Sequence, residues 1–280
     1  MRRRQALQRA AATAGAVALA GCLQLADPSG SERTETVTES VDARPLGRID
    51  VDNQVGAVTL TGTRGDRVEV RATKRTRRGR AALDRTTLRL DRSGDVLRIV
   101  GRVPDDLASR EGTRIDLEVD VPATGANAVP VGTVTGDVGR VRLDGVAGDV
   151  DVDHRVAEVE ATDVDGVVSI DVDVGDVTVE GGRGVSGVRA ETGAVDVELP
   201  VLADDVTIRT RTGDVTVRID PSVDCTVRLR SNVGEVTVER LNLAVTSSSR
   251  TAVDGRLGEG GPTLDVATDV GAVTLTALRG

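Results

Sequence analysis

Eight copies of one five-residue phrase, Gly-x-Val-x-(Val/Leu/Ile), limit this chain to architectures built from short strands. The first four are Gly56-Ala-Val58-Thr-Leu60, Gly148-Asp-Val150-Asp-Val152, Gly166-Val-Val168-Ser-Ile170 and Gly175-Asp-Val177-Thr-Val179. The rest are Gly193-Ala-Val195-Asp-Val197, Gly213-Asp-Val215-Thr-Val217, Gly234-Glu-Val236-Thr-Val238 and Gly271-Ala-Val273-Thr-Leu275. Glycines 148 and 166, and again 175 and 193, lie 18 residues apart, and the next two intervals are 20 and 21. Alternation with period two turns the valines to one side and Asp or Thr to the other. The glycine supplies a positive φ, or room for close approach, where the chain turns a corner. A unit of this length cannot bury its own apolar face and must stack on its neighbours. Stacked strands about 4.8 Å apart lay valine over valine, and fully burying a Val stabilises by roughly 1.5 kcal/mol or more. The expected fold is all-β, a repetitive, β-helix-like β-solenoid of short strands with glycine corners; a β-sandwich is the alternative. Helix is expected only within Arg80 to Leu88.

Composition narrows the function. Phe, Tyr and Trp are absent, so there are no ring faces on which bases or sugars could stack. The 36 basic residues are outnumbered by 45 acidic ones, which disfavours binding to nucleic acid phosphates. Lys74 is the single lysine and Met1 the single methionine. Such an acidic, Asp-, Val- and Arg-rich chain resembles proteins of extreme halophiles, where a Debye length of about 3 Å at 1 M salt screens surface repulsion. A haloarchaeal source is the expectation.

The N-terminus reads as an export signal over residues 1–21. Arg2, Arg3 and Arg4 precede an apolar run, Ala10 to Ala20, that is shorter than the roughly 20 residues needed to span a bilayer. Arg3 and Arg4 resemble a twin-arginine pair, which implies export of an already folded chain. Leu19-Ala20-Gly21-Cys22 resembles a lipobox, which implies cleavage before Cys22 and a lipid on its sulfur. Without the signal's four arginines the chain carries 32 basic and 45 acidic residues, net −13. One acyl chain binds a membrane only marginally, so stable anchoring implies two chains or a second contact. Residues 22–46 are expected to form a flexible acidic tether, and residues 47–280 the β-repeat domain.

The repeats resemble the putative-adhesin family, a domain of unknown function in surface lipoproteins. The resemblance rests on Gly258-Glu-Gly-Gly261-Pro-Thr-Leu264-Asp-Val266 running on to Gly271-Ala-Val273-Thr-Leu275, and on Ile115-Asp-Leu-Glu-Val-Asp-Val121-Pro122 ahead of the main repeats. It covers residues 47 to 280 and implies a β-solenoid. It implies no catalytic residue and no cofactor.

Few residues suggest chemistry. His154, the only histidine, shares the parity of Val150 and Val152 and is expected inside or at a corner. It lacks the Ser and carboxylate partners of a triad, and zinc would need more His or Cys ligands. Cys225 shares the parity of its apolar neighbours and is expected to be a buried small hydrophobe, with a reactive thiol as the alternative. Asp149, Asp151 and Asp153 share a strand face, about 6.6 Å between neighbours, and are candidates for a hard cation such as Ca²⁺; a solvated acidic surface is the alternative. Between Arg64 and Arg102, 13 basic residues face 5 acids, a net of +8. Its densest part holds Lys74, Arg75, Arg77 and Arg78. This block could contact anionic lipid or surface glycan, or pair with acids of its own chain.

The function expected is that of a non-enzymatic, lipid-anchored protein on the outer face of the cytoplasmic membrane, with a binding or structural role and an unknown envelope partner. A carbohydrate-active β-helix enzyme and an envelope-stress or regulatory module are the alternatives.

Overall fold

The computed structural model describes residues 32–108 and 112–278. An N-terminal group comprises β1 (Arg33–Asp42), β2 (Arg48–Thr63), β3 (Arg67–Thr76), α1 (Arg80–Arg85) and β4 (Thr87–Ser93). It ends with β5 (Val96–Arg102), α2 (Asp105–Ala108) and β6 (Arg114–Pro122). The body contains β7 (Val131–Asp144), β8 (Val150–Thr162), β9 (Val167–Val174), β10 (Val177–Glu180), β11 (Gly184–Thr192) and β12 (Val195–Leu199). It continues with β13 (Val206–Thr212), β14 (Val215–Ile219), β15 (Cys225–Val233) and β16 (Val236–Glu239). The last four strands are β17 (Ala244–Ser248), β18 (Ala252–Leu257), β19 (Thr263–Val270) and β20 (Val273–Ala277).

Two parallel ladders run through the body, and each coil gives a strand to both. The first passes through the leading half of β2, then β7, β8, β9, β11, β13, β19 and β15. The second passes through the trailing half of β2, then β7, β8, β10, β12, β14, β20 and β16. Parallel pairing at a regular repeat makes the fold a β-solenoid and sets aside the sandwich. The valine stacking is literal. Val58, Val141, Val159, Val177, Val195, Val215, Val273 and Val236 lie in one register column, all buried. Inward residues of both ladders join one contiguous core.

The joint between the ladders explains the glycines. At Gly193 and Gly213 φ is +151° and +149°. A Cβ on Gly213 would lie 1.9 Å from the Gly193 carbonyl oxygen, and one on Gly193 1.9 Å from that of Gly175. Each corner therefore rests backbone on backbone. Two of the eight phrases mark a different place. Gly148 and Gly166 open first-ladder strands at the far turn, while the other six stand at the joint between ladders. A ninth copy beyond those eight, Gly139-Arg-Val141-Arg-Leu143, also stands at the joint, in register with Gly56 to Leu60.

Aspartates beside these glycines hold one coil to the next. Asp176 Oδ1 accepts from Ala194 N–H at 2.8 Å, and Asp214 Oδ1 from Ala272 N–H at 2.7 Å. Asp116 does the same for Ala57 at 3.0 Å, and Asp149 for Val167 at 2.9 Å.

Antiparallel strands cover most of both ends of the stack. β5 continues the first ladder in parallel and carries antiparallel β4, while β3 and β1 cover the second. β18 and β17 cover the first ladder at the far end, where β16 is left as the edge of the second. The chain does not stack in sequence order there. β19 and β20 insert between the β13–β14 coil and the β15–β16 coil.

One expectation is corrected. Residues 33–42, assigned to the flexible tether of 22–46, form β1 in antiparallel register with β3. Thr and Val dominate the segment and favour extended backbone. Its acids also meet the basic block: Glu35 stands opposite Lys74, and Asp42 opposite Arg67, with both pairs ion-bridged. The expected helix is present as α1, with Ala82 and Leu83 buried, but it is not alone, since α2 forms one further turn at Asp105–Ala108.

Gly213→Ala should lower stability by on the order of 3 kcal/mol, because strain and a backbone clash add. Gly65→Ala, with no atom within 4 Å, should change it by less than about 0.5 kcal/mol. Guanidinium unfolding midpoints at unchanged slope measure both; equal midpoints would contradict the corner reading.

Candidate binding surface

The N-terminal residues Arg3, Arg4, Leu19, Ala20, Gly21 and Cys22 lie outside the described residues. Within the densest part of the basic block, two of the four cations are paired inside the chain. Lys74 sits on the inward parity of β3, 9% exposed, with Nζ 3.2 Å from Glu35 Oε1. Arg75 Nε lies 3.1 Å from Asp116 Oδ2 and its Nη1 3.8 Å from Glu32 Oε2. Arg114 shares both acids, at 3.5 and 3.1 Å. Arg78 donates to the Asp106 carbonyl at 3.0 Å, and Arg77 is exposed. Arg85 forks onto the Asp106 carboxylate at 2.6 and 2.8 Å, which lowers that carboxyl from its ordinary value. Lys74 and Arg75 are thus committed within the chain, which leaves Arg77 and Arg78 as the exposed members of the group.

Asp149, Asp151 and Asp153 do not converge on a cation. Asp149 is occupied by the Val167 amide, and the residues beside Asp151 on neighbouring coils are Thr133 and Ser169. Asp153 has Thr135 on one side and Asp171 on the other. Among the described residues no three His, Cys, Asp or Glu side chains come together to hold a metal ion. Parity alone could not reveal this, because it gives the face of a side chain and not its neighbour on the next coil.

A polar hollow of about 440 Å³ opens where the first coils turn the corner. Asp52, Arg102, Thr135, Asp137, Asp153 and Arg155 line it. Arg102 is held by Asp52, with Nη1 2.7 Å from Oδ1, and that bond raises the guanidinium above its ordinary value. Arg155 Nη1 lies 3.4 Å from Asp137 Oδ1. The hollow therefore contains two ion pairs and the carboxylate of Asp153. Such a lining can hydrogen-bond a polar ligand but offers no apolar floor.

His154 lies in the wall behind it. The ring is 1% exposed, and neither nitrogen has a hydrogen-bond partner among the described residues. Its register neighbour Gly136 has no side chain, and a Cβ there would lie 2.4 Å from His154 Cε1. The glycine makes room for the imidazole. Burial holds the ring below its ordinary pKa, against the opposing pull of Asp153, Asp137 and Asp52. Cys225 is fully buried, as its parity predicts, and burial pushes its thiol up to about 11. A thiol so far from its thiolate form is a packing group.

The arrangement is that of a parallel β-solenoid with charge-paired outer ladders. The family model named Toastrack DUF4097 matches residues 42–276, and the chain belongs to that family. None of the curated proteins compared with it matches. Solved structures similar to it include a putative cell adhesion protein from Clostridium sporogenes, 10% identical, with 88% of this chain and 100% of that one covered at a TM-score of 0.40. Another is a putative adhesin from Bacteroides fragilis, 14% identical, covering 87% and 97% at a TM-score of 0.48.

The His154 ring gives stability a defined pH dependence. Above the ordinary imidazole value the ring is neutral in both folded and unfolded chains. Below it the unfolded chain takes a proton that the native ring resists, so stability falls as pH drops toward the depressed native value. His154→Leu should remove that part of the slope, from the ordinary imidazole range downward, in denaturant titrations. Parallel slopes for parent and variant would show that the ring is not the titrating group.

Proposed function

We propose that this chain is a non-catalytic binding or structural protein presented on the outer face of the cytoplasmic membrane by a lipid on Cys22. The observation that carries the reading is the organisation of the outward side chains. They repeat from coil to coil and pair with one another, as Arg140 does with Glu158 and Arg142 with Glu160, both at 2.6 Å. A hydrolase would gather carboxylates and a base at one place. Here the one histidine is sealed in the wall, and the aspartates beside the corner glycines serve backbone amides of the next coil. The resemblance to a family of surface lipoproteins, the lipobox Leu19-Ala20-Gly21-Cys22 and the Arg3-Arg4 pair support export and anchoring. Export after folding suits a stack whose last strands must insert between earlier coils. The envelope partner binds through polar contacts, for which exposed groups such as Arg77 are available.

Cys22→Ser should release the protein to the medium in a fractionated culture, while the parent stays with membranes and is open to added protease. A variant that remains membrane-bound would overturn the anchor. The net −13 of the exported chain also calls for screening. The unfolding midpoint should rise as potassium chloride reaches molar levels, and a flat response would contradict the halophilic reading.

A further inference from the structure

One outward column of the stack is apolar. The residue immediately before each corner is Val55, Val138, Val156, Val174, Val270 or Val233, with Thr192 and Thr212 filling the two middle rungs. Val138, Val156, Val174, Val270 and Val233 are 41% to 64% exposed. They make up five of the eight large hydrophobic side chains exposed among the described residues. The column is a straight ridge of seven steps, about 34 Å at the usual strand spacing. Extended backbone at a corner asks for a β-branched residue, and threonine meets that need at two rungs. Valine at the other six adds apolar surface that the corner does not require. The valines form runs of four and two rungs on either side of the threonines, and exposed apolar surface gathered in this way marks an interaction site.

We infer that this ridge is the seam of a parallel homodimer, with a two-fold axis running along the stack. In that arrangement each rung meets its own copy, so the two repeats match along the whole ridge. The charges flanking the ridge select this orientation. The row before the ridge on one chain faces the row after it on the other, at the same rung. Asp137 then meets Arg140, Arg155 meets Glu158, and Arg211 meets Asp214; only Asp173 and Asp176 bring like charges together. Antiparallel docking would instead set Asp137 against Asp269, Arg155 against Arg211 and Asp173 against Glu191. Arg155–Asp137 and Arg140–Glu158 already pair within one chain. The seam joins them into one four-residue network. Salt supports the contact, because it screens the repulsion of two acidic chains while leaving the apolar seam intact. Parallel docking also sends both N-termini to the same end. That suits two anchors in one membrane, a point that rests on the proposed anchoring, whereas the seam does not.

The test uses the full chain carrying Cys22→Ser, which leaves only the buried Cys225. In molar salt, sedimentation equilibrium should give a reversible dimer. Adding Val156→Glu and Val174→Glu should return it to monomer with an unchanged circular dichroism spectrum, since both positions are exposed. Under mild oxidation Val156→Cys should cross-link to its own copy, because identical rungs lie within disulfide reach. A monomer at all concentrations, or a dimer indifferent to the two glutamates, overturns the seam. Preferential cross-linking of Val156→Cys to a Thr212→Cys chain overturns the parallel orientation.

Discussion

The structure depends on one contact, the corner at which the backbone of a coil lies directly on the backbone of the next. At Gly193 and Gly213 there is no space for a Cβ, and the carbonyl below occupies that position. This closeness sets the register between coils. With register fixed, valine falls on valine in both ladders, and a core of small branched side chains can be continuous without Phe, Tyr or Trp. A one-residue slip would turn every valine outward, so the corner and the core enforce each other. The aspartate after several corner glycines adds a directional bond to the amide of the next coil. That bond uses part of the acidic composition for structure as well as for solubility.

The ends of the stack meet a different need. A parallel ladder leaves unpaired edges that would recruit other strands. At the N-terminal end, acidic β1 covers basic β3, and Glu32, Arg75, Arg114 and Asp116 close the joint. At the C-terminal end the last coil in sequence is placed inside the stack, between two coils made earlier. β20 is thus held by neighbours on both sides. The β15–β16 coil docks on β19–β20 and completes the stack only when the whole chain is present.

Much of the fold was legible because its determinants are local. Period-two valines and corner glycines sit within five residues of one another. What is not local was not legible. Gly148 and Gly166 carry the same phrase as Gly175, yet they turn the opposite end of the coil, because both turns demand the same backbone freedom. Residues 33–42 read as a tether because their partner, β3, lies about 30 residues on. The same separation left open whether the basic block contacts an outside partner or acids of its own chain, and Lys74 and Arg75 pair with acids on other strands. His154 and Cys225 were placed correctly by parity. The hollow in front of His154 depends on which coils are neighbours, which no short pattern records.

The account's central claim is that corner register, and not chain order, decides which strands are locked. Native-state hydrogen exchange tests it most directly. Amides of residues 264–270 and 273–277 should exchange only through global opening, while those of the exposed edge strands β16 and β17 exchange earlier. Faster exchange in the last two strands than in β16 and β17 would contradict it, because a C-terminal coil stacked at the end would fray first.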